Sequence, residues 1–383
     1  MAARKRLGLI FTVDRKWMGG TYYVLNLIYA LSTLPDAEKP EIVLLCKSEE
    51  DYRLAVEYTG YPYLSFRKSQ KKMNTLSRAL NKLSRVIFHR NLIPVLRNVR
   101  GLDYIFPIIG PHQIVKGAKN IAWIPDFQHI RLPHLFSEKE ILHRDRVNNT
   151  LRNKNLPIVF SSNDAKHDFC DSYNCDADNP NLFLYRFASK PPVIPPAADE
   201  VLQKYGVQAG GYFICSNQFW VHKNHAVLFE AVKILKERGL KIKLLCTGNN
   251  VDYRSREHYS GLEEFVNKNG LQDSIKLLGL IDRNEQLTLM ARSRAVIQPS
   301  LFEGWNTSVE EAKSLNKLLI LSDLAVHKEQ CLRNALFFKR DDPADLADKI
   351  QEVAENEIEV VDNEYGKIVK NSAADFVNIL SSL

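Results

Sequence analysis

Two acidic residues, Glu303 and Glu311, stand eight positions apart in the segment SLFEGWNTSVEEAKSL, which begins at Ser300. The residues that follow the first acid and lead into a helical pattern are Gly304, Trp305, Asn306, Thr307 and Ser308. A glycine and small polar residues at a helix start leave backbone N–H groups free to bind phosphate. The spacing therefore predicts that Glu311 holds the sugar of a nucleoside, the backbone holds a diphosphate, and Glu303 meets what the phosphates carry. The alternative is that both glutamates favour the helix macrodipole.

A second polar cluster follows the apolar run GYFIC and precedes the helical pattern HAVLFEAVKILKERG. Its members are Asn217, Gln218, Trp220, His222, Lys223, Asn224 and His225. A lysine at a strand-to-helix junction is well placed to neutralise a phosphate, which is the role we predict for Lys223. The histidines lack a third clustered ligand, so no metal site is predicted here.

Two loops in the first half of the chain carry further candidates. Gly19 and Gly20 follow a predicted strand that ends near Val13, and they precede an apolar helical pattern. They could let the backbone approach a ligand, although a simple turn explains them equally well. Their spacing does not fit G-x-G-x-x-G, which argues against a dinucleotide dehydrogenase. Asp126 and His129 follow the strand residues of WIPDFQHIRLP, where they could handle substrate hydroxyls or serve only as caps and loop hydrogen-bonding groups.

The elements that position these loops are apolar strands that alternate with helical patterns. The strand candidates are LGLIFTV, EIVLLCK, YIFPII, NIAWIP, PIVFSS and NLFLYRF in the first half, and GYFICSN, KIKLLCTG, SIKLLGLI, RAVIQPS and KLLILSD in the second. Strands that are apolar throughout indicate parallel sheets covered on both faces, and hence an α/β protein. In such sheets ligands bind beyond the carboxyl ends of the strands, where the candidate residues lie.

The proline-rich segment ASKPPVIPPAADE separates the two series of strands, because prolines are excluded from central strands and helix interiors. We therefore predict two doubly wound domains, residues 1–189 and 190–365, followed by a closing helix at 366–383. A length of 383 residues suits two domains of ordinary size. The hydrophobic share of 45% and the charged share of 25% are typical of a soluble globular protein.

Two further features bear on where the protein works. No apolar run approaches the roughly 18 residues that span a bilayer. The N-terminal run Leu7–Val13 is too short for a signal peptide, so we expect it to form a first strand. The six cysteines are scattered without metal or redox spacing. These features predict a reduced, cytoplasmic protein.

The net charge of +7 is unevenly distributed, because the segment Gly60–Leu102 contains no acidic residue. Its bases are Arg67, Lys68, Lys71, Lys72, Arg78, Lys82, Arg85, Arg90, Arg97 and Arg100. Aliphatic residues alternate with these bases at near-helical spacing, a pattern that fits an anionic membrane surface or a lipid-linked phosphate. A solvated face is the alternative. The segment lacks regularly interleaved aromatic residues, so no nucleic-acid partner is predicted.

The segment PSLFEGWNTSVEEAKSLNKLLILSD resembles the signature of glycosyltransferase family 4, the retaining transferases of GT-B fold. Glu303 and Glu311 match its E-x7-E motif. Further matches follow in the family's order at YFICSNQFWVHKNHAVLFEAVKIL, LLCTG and IKLLGLIDRNEQLTLMARSRAVIQPS. The first half matches more loosely, at MGGTYYVLNLIYAL, WIPDFQHIRLP and VFSSNDAKHDF. The resemblance implies two Rossmann-like domains that face a central cleft.

The resemblance also implies roles for individual residues. The donor nucleotide sugar would bind mainly to the second domain, with Lys223 on the diphosphate, Glu311 on the ribose and Glu303 near the transferred sugar. The loop that contains Leu280 would flank the base. The implied catalytic residues are Glu303, His129 and Asp126. The other implied donor-binding residues are Gly19, Gly20, Asn217, Gly248, Gly304, Trp305, Asn306, Thr307 and Ser308.

Two positions depart from the family's pattern. Gln218 stands five positions before Lys223, where the family usually has a basic residue. Another base, or the helix dipole together with Lys223, would therefore have to neutralise the diphosphate. Many members carry the first-domain histidine directly before an aspartate, whereas here Pro125 precedes Asp126 and His129 comes three positions later.

The activity implied by the resemblance is retaining transfer of a sugar from a nucleotide sugar, UDP- or GDP-linked, to a glycan or a lipid-linked glycan, without a metal or other cofactor. Together with the basic segment, it predicts an enzyme of surface polysaccharide or lipopolysaccharide assembly. Such an enzyme would be cytoplasmic or peripheral at the inner face of the membrane. The alternatives are a nucleotide-sugar epimerase of the same fold, which needs no acceptor, and a non-enzymatic basic protein that binds membranes or nucleic acid.

Overall fold

The computed structural model describes residues 4–14, 18–69, 80–81, 96, 98–194, 198–252 and 254–383. The chain divides into two compact units. The first comprises Met1–Phe127, Ser137–Lys190 and Gly366–Leu383, and the second comprises Gln128–Phe136 and Pro191–Tyr365. Most of the basic segment that the sequence predicts to meet a membrane, at residues 70–79, 82–95 and 97, lies outside the described residues.

The described strands of the first unit form one parallel sheet. They are β1 (Arg6–Ile10), β2 (Glu41–Cys46), β3 (Leu64–Lys68), β4 (Tyr104–Ile108), β5 (Lys119–Ile124), β6 (Ile158–Phe160) and β7 (Leu182–Leu184). Their order across the sheet is β3-β2-β1-β4-β5-β6-β7. Interior strands are apolar throughout, as in β2, whose residues from Ile42 to Cys46 are all buried. This burial is what covered parallel sheets require.

The second unit repeats the pattern with a second parallel sheet. Its described strands are β8 (Phe213–Ser216), β9 (Leu244–Thr247), β10 (Ile275–Gly279), β11 (Ala295–Gln298), β12 (Leu319–Ser322) and β13 (Ala335–Phe338). Their order is β10-β9-β8-β11-β12-β13. The strand order reverses at β8, so the carboxyl ends of β8 and β11 form the switch point at which such sheets bind ligands.

Helices connect the strands of both sheets. The described helices are α1 (Met18–Ser32), α2 (Glu49–Thr59), α3 (Gln128–Arg131), α4 (Glu138–Asn153), α5 (Asn163–Tyr173), α6 (Ala198–Tyr205), α7 (His225–Glu237), α8 (His258–Lys268), α9 (Arg283–Arg292), α10 (Thr307–Ser314), α11 (Ala325–Gln330), α12 (Pro343–Glu355) and α13 (Tyr365–Ser382). Not one of these is both long and apolar enough to cross a membrane. Helix α7 buries Leu228, Val232 and Leu235 on one face. The predicted doubly wound α/β class is confirmed.

Two strands, β3 and β13, were not predicted from the sequence. Both lie at the edge of a sheet and pair with one neighbour. β3 has the sequence LSFRK, and none of its residues is fully buried. β3 therefore lacks the continuous apolar run that indicates a covered parallel strand, whereas β13, with the sequence ALFF, is apolar but only four residues long.

Helix α13 completes the first unit, although it follows the second unit in sequence. The ring of Phe376 lies 5.2 Å from that of Phe106 and 5.1 Å from that of Tyr185. The Ser372 hydroxyl donates to the Tyr185 hydroxyl at 3.2 Å. The last helix is therefore anchored in the aromatic core of the first unit.

Candidate functional site

An ion pair joins the loop after β8 to the loop after β11, at the switch point of the second sheet. Lys223 Nζ donates to Glu303 Oε1 at 2.6 Å, and the two side chains are only 14% and 8% exposed. The same oxygen accepts from Ser300 Oγ at 2.6 Å and from Asn306 Nδ2 at 2.9 Å. Three donors on one oxygen fix the carboxylate, whereas Oε2 accepts no hydrogen bond from the described residues.

The turn that carries Lys223 is held by a buried arginine. Val221 N donates to Asp252 Oδ2 at 3.1 Å, and Asp252 pairs with Arg254. Arg254 Nη2 lies 3.2 Å from His222 Nδ1, which must accept because a guanidinium can only donate. Burial lowers the pKa of His222 well below its usual value, and the charges of Lys223 and Arg254 lower it further. His222 is therefore neutral at pH 7, and Arg254 adds a second cation beside Lys223.

The segment between the two glutamates begins helix α10. Asn306 is the N-cap, and its side chain accepts from Val309 N at 3.2 Å. Ser308 Oγ donates to the Ser216 carbonyl at 2.7 Å, which fastens the helix start to the end of β8. The N–H groups of the first turn, at Thr307 and Ser308, have no partner within a helix. Free N–H groups at a helix N-terminus are suited to bind an anion.

Glu311 lies one turn into α10, as its sequence position predicts. It is 3% exposed, and its Oε1 accepts a short bond from Arg283 Nη2. Its Oε2 has no partner among the described residues. Arg283 lies at the start of α9, and no motif in its local sequence marks it as a site residue.

The neighbouring acid, Glu310, has a structural role. It accepts from Lys313 at 2.8 Å, from Gln330 at 2.9 Å and from the Tyr365 hydroxyl at 2.7 Å. Gln330 Nε2 also donates to the Asn306 carbonyl at 2.8 Å, and its Oε1 accepts from Asn306 N at 3.2 Å. This saturated network fixes the N-cap of α10 from behind.

The ends of β8, β9 and β10 are tied together beside this helix. Gly248 has a φ of 155°, and a Cβ at this position would lie 2.0 Å from the Asn217 carbonyl oxygen. Gly248 N donates to the Gly279 carbonyl at 2.9 Å. The next residue, Leu280, is 81% exposed.

A buried histidine, His327, lies behind Glu303. Its Nδ1 is 3.1 Å from the Ser322 carbonyl oxygen, which can only accept, so this nitrogen carries the proton. Burial lowers the pKa of His327 to about 4, although the negative charge of Glu303 opposes the shift. Its Nε2 finds no partner in the described part of the chain.

The candidates from the first half of the chain are divided between the two units, and Arg254 Nη1 donates to Oε1 of Gln128, the neighbour of His129, at 3.1 Å. Asp126 belongs to the first compact unit and pairs with Arg144 at 3.3 Å. His129 belongs to the second and is 1% exposed. Gly19 and Gly20 lie in the first turn of α1 and do not precede the helix, so that expectation was wrong. Their roles toward a ligand stay predictions.

Over residues 4–14, 18–69, 80–81, 96, 98–194, 198–252 and 254–383, no group of three or more histidine, cysteine, aspartate or glutamate side chains is arranged to hold a metal ion.

A family model matches part of the second half of the chain. The model of the family described as glycosyl transferases group 1 matches residues 200–374. The family match covers the Lys223 turn, the switch point and both glutamates. It confirms the resemblance to glycosyltransferases.

Two curated relatives match at the level of sequence. The O-antigen chain mannosyltransferase RfbU of Salmonella typhimurium is 24% identical over 185 residues, which are 48% of this chain and 47% of the relative. The phosphatidylinositol N-acetylglucosaminyltransferase gpi3 subunit of Schizosaccharomyces pombe is 24% identical over 206 residues, 52% of this chain and 43% of the relative. The chain thus spans about half the length of the curated relatives it matches.

Solved structures resemble the whole chain. Anabaena Alr3699/HepE in complex with UDP and glucose has a TM-score of 0.70 at 15% identity, over 99% of this chain and 100% of that one. WaaG, a glycosyltransferase involved in lipopolysaccharide biosynthesis, has a TM-score of 0.58 at 11% identity, over 99% and 95% of the two chains. The predicted GT-B type of fold, with two Rossmann-like parts, is confirmed.

Proposed function

We propose that the protein is a retaining, metal-independent glycosyltransferase that moves a sugar from a nucleotide sugar to a glycan or a lipid-linked glycan. One observation carries the proposal. Lys223, Glu303 and Glu311 surround the start of α10 at the switch point of the second sheet. A cation, free helix N–H groups and two acids suit a diphosphate with a sugar at each end.

The donor is a nucleoside diphosphate sugar, UDP- or GDP-linked. Glu311 offers Oε2 to the ribose, and the N–H groups of Thr307 and Ser308 meet the phosphates. Leu280 offers an exposed apolar surface to the base. HepE, which shares the fold, has been solved with UDP and with UDP-glucose. These points support a nucleoside diphosphate sugar as the donor, and UDP-linked sugars should be tested first.

The reaction requires that the leaving diphosphate be stabilised. Lys223 and the α10 N-terminus supply positive charge where negative charge develops, as an oxyanion site does. Glu303 holds a hydroxyl of the transferred sugar through Oε2, because three donors already fix its Oε1. It does not act as a nucleophile. The leaving phosphate takes the proton of the acceptor hydroxyl, which attacks from the same face, so the anomeric configuration is retained.

The acceptor is a glycan of surface polysaccharide assembly carried on a lipid at the inner face of the membrane, where the protein is peripheral. The basic composition of residues 60–102 supports this location. Of that segment, Arg67 is used internally, since its Nη1 donates to the carbonyls of Asn98 and Arg100 at 2.9 and 2.8 Å. The Salmonella relative is named for O-antigen chain synthesis, which suggests the acceptor class to test first.

The experiment is a transfer assay with EDTA present. UDP- and GDP-linked hexoses and N-acetylhexosamines are incubated with lipid-linked glycan extracts, and the product anomer is assigned by NMR. The proposal expects acceptor-dependent release of nucleoside diphosphate and an anomer that matches the donor. Conversion of the donor sugar without an acceptor would indicate an epimerase instead. An inverted product or a strict metal requirement would contradict the mechanism while leaving transfer intact.

A further inference from the structure

The two oxygens of the Glu311 carboxylate are in different environments. Oε1 is bound to Arg283, whereas Oε2 has no partner among the described residues. The side chain is only 4% exposed, so water cannot freely replace the missing donor. A buried acceptor without a donor is unfavourable. A ligand hydroxyl that donates to Oε2 would therefore contribute more binding free energy than a hydrogen bond to a solvated carboxylate.

Arg283 is itself held in place from two directions. It is the first residue of α9, and the N-cap Asp282 fixes that helix start by accepting from Asn284 N at 2.8 Å. Arg283 Nη1 donates to Gln286 Oε1 at 3.2 Å. Gln286 Nε2 in turn makes a short bond to Ser216 Oγ at the end of β8. Contacts with α9 and, through Gln286, with β8 thus orient the guanidinium that binds Glu311 of α10.

We propose that Arg283 is a specificity-determining positioning residue, which holds Oε1 of Glu311 so that Oε2 alone is presented to the ribose of the donor. This inference rests on the proposed function, because it takes the ligand of Glu311 to be a nucleoside. A carboxylate anchored through one oxygen cannot rotate to meet a misplaced ligand. It therefore distinguishes ribose, which places a hydroxyl at Oε2, from a deoxyribose that does not.

An ordinary role for the same pair would be to join α9 to α10. The two roles differ in what they affect. A tie between helices changes the stability of the fold and weakens every ligand alike. A positioning role changes the ratio of affinities between a ribonucleotide and its deoxy analogue. Only the ribonucleotide can donate a hydroxyl to Oε2, so losing that hydrogen bond weakens its binding and not that of the analogue.

The experiment measures affinities by calorimetry for UDP, 2′-deoxy-UDP and 3′-deoxy-UDP, with the GDP series in parallel. The variants are Arg283→Met, which keeps length and helix propensity, and Arg283→Lys, which keeps the charge without the planar fork. The matched control is Lys204→Met. Lys204 of α6 pairs with Glu285 of α9 and is 58% exposed, so its loss removes a cation that contacts α9 without touching Glu311.

Wild type should prefer the ribonucleotide over at least one deoxy analogue by roughly tenfold or more. Arg283→Met should reduce this ratio to about threefold or less, Arg283→Lys should be intermediate, and Lys204→Met should match wild type. Thermal midpoints confirm that each variant is folded. If the methionine variant does not fold, a wild-type ratio in the lysine variant overturns the inference.

The outcomes separate this inference from the proposed function. Wild type that binds no nucleoside diphosphate overturns both. Wild type that discriminates the sugars, with an Arg283→Met variant that keeps the same ratio, overturns the role of Arg283 alone. Tighter binding by Arg283→Met would also overturn it, because Arg283 would then compete with the ribose for Glu311.

Discussion

Lys223 and Glu303, which lie 80 residues apart in sequence, form an ion pair with 2.6 Å between Nζ and Oε1. The pair joins the two loops that follow β8 and β11. The lysine proposed to meet a diphosphate is therefore positioned by the acid proposed to meet the sugar. Removing either partner leaves a charge that is buried and poorly compensated.

Replacement of Lys223 should separate stability from ligand binding. Lys223→Met leaves Glu303 with two neutral donors and should lower the free energy of unfolding by at most about 3–5 kcal/mol. The double variant Lys223→Met/Glu303→Gln should recover most of this loss but should not recover affinity for a nucleoside diphosphate. Urea denaturation and calorimetry measure the two quantities. Recovery of affinity in the double variant would show that Lys223 acts only through packing.

Substitution of the two neighbouring acids of α10 should affect different properties, ligand affinity for Glu311 and stability for Glu310. Glu311→Gln should weaken nucleoside diphosphate binding by about 1–3 kcal/mol, because the hydrogen bond from the ribose to a charged acceptor is lost. Glu310→Gln should chiefly lower the thermal midpoint, because that acid is saturated by Lys313, Gln330 and Tyr365. Calorimetry and thermal unfolding of both variants test the contrast. Unchanged affinity in Glu311→Gln would remove Glu311 from the ribose site.

Two glycine replacements should have opposite effects on stability. Gly248→Ala would place a Cβ 2.0 Å from the Asn217 carbonyl oxygen at a φ of 155°, so we expect a loss above about 4 kcal/mol. Gly261 lies within α8 and its Cβ would meet nothing within 4 Å. Gly261→Ala should stabilise the protein by about 1 kcal/mol through helix propensity. Denaturant midpoints compare the two, and a well-folded Gly248→Ala would contradict the close approach of β8 and β9.

Protonation of His327 should destabilise the protein in mildly acidic solution. The unfolded chain takes up a proton below about pH 6.5, whereas burial lowers the pKa of His327 in the folded protein to about 4. The unfolded state therefore binds more protons between these values, and stability falls as the pH falls through this window. At 1.36 kcal/mol per pKa unit the full effect is about 3 kcal/mol.

The matched variant for this effect is His327→Asn, whose amide can replace Nδ1–H toward the Ser322 carbonyl. It should reduce the pH dependence of the free energy of unfolding between pH 6.5 and 4. The lowered pKa of His222 acts in the same direction, so some dependence should remain. Urea titrations across the window measure the slope, and an unchanged slope in His327→Asn would contradict the assignment.

The sequence predicted the parts of the fold that depend on local pattern. Covered strands such as β8 and β11 are continuous apolar runs, so the loops that follow them could be located and Lys223 and Glu303 placed at strand ends. Glu311 could be placed one turn into a helix because a glycine and small polar residues mark the helix start, and the structure shows Asn306 there as the N-cap. Edge strands β3 and β13 were not predicted, because β3 is a mixed polar sequence and the apolar run of β13 is only four residues long.

Pairings between distant segments could not be predicted in the same way. Arg283 reaches Glu311 from 28 residues away, and Arg254 reaches His222 from 32 residues away. Nothing in the local sequence of either arginine distinguishes it from a solvated one. Only the adjacency of strand ends at the switch point brings these side chains together.

Nucleotide binding by the second unit can be tested most directly by thermal unfolding with UDP, GDP, ADP and dTDP. A ligand that binds the native state at 100 times its Kd adds about 2.7 kcal/mol to stability. We predict that UDP or GDP raises the midpoint of wild type in a concentration-dependent way, and that the Lys223→Met/Glu311→Gln double variant shows no such rise. A wild-type midpoint that none of the four nucleotides shifts would contradict the proposed donor site.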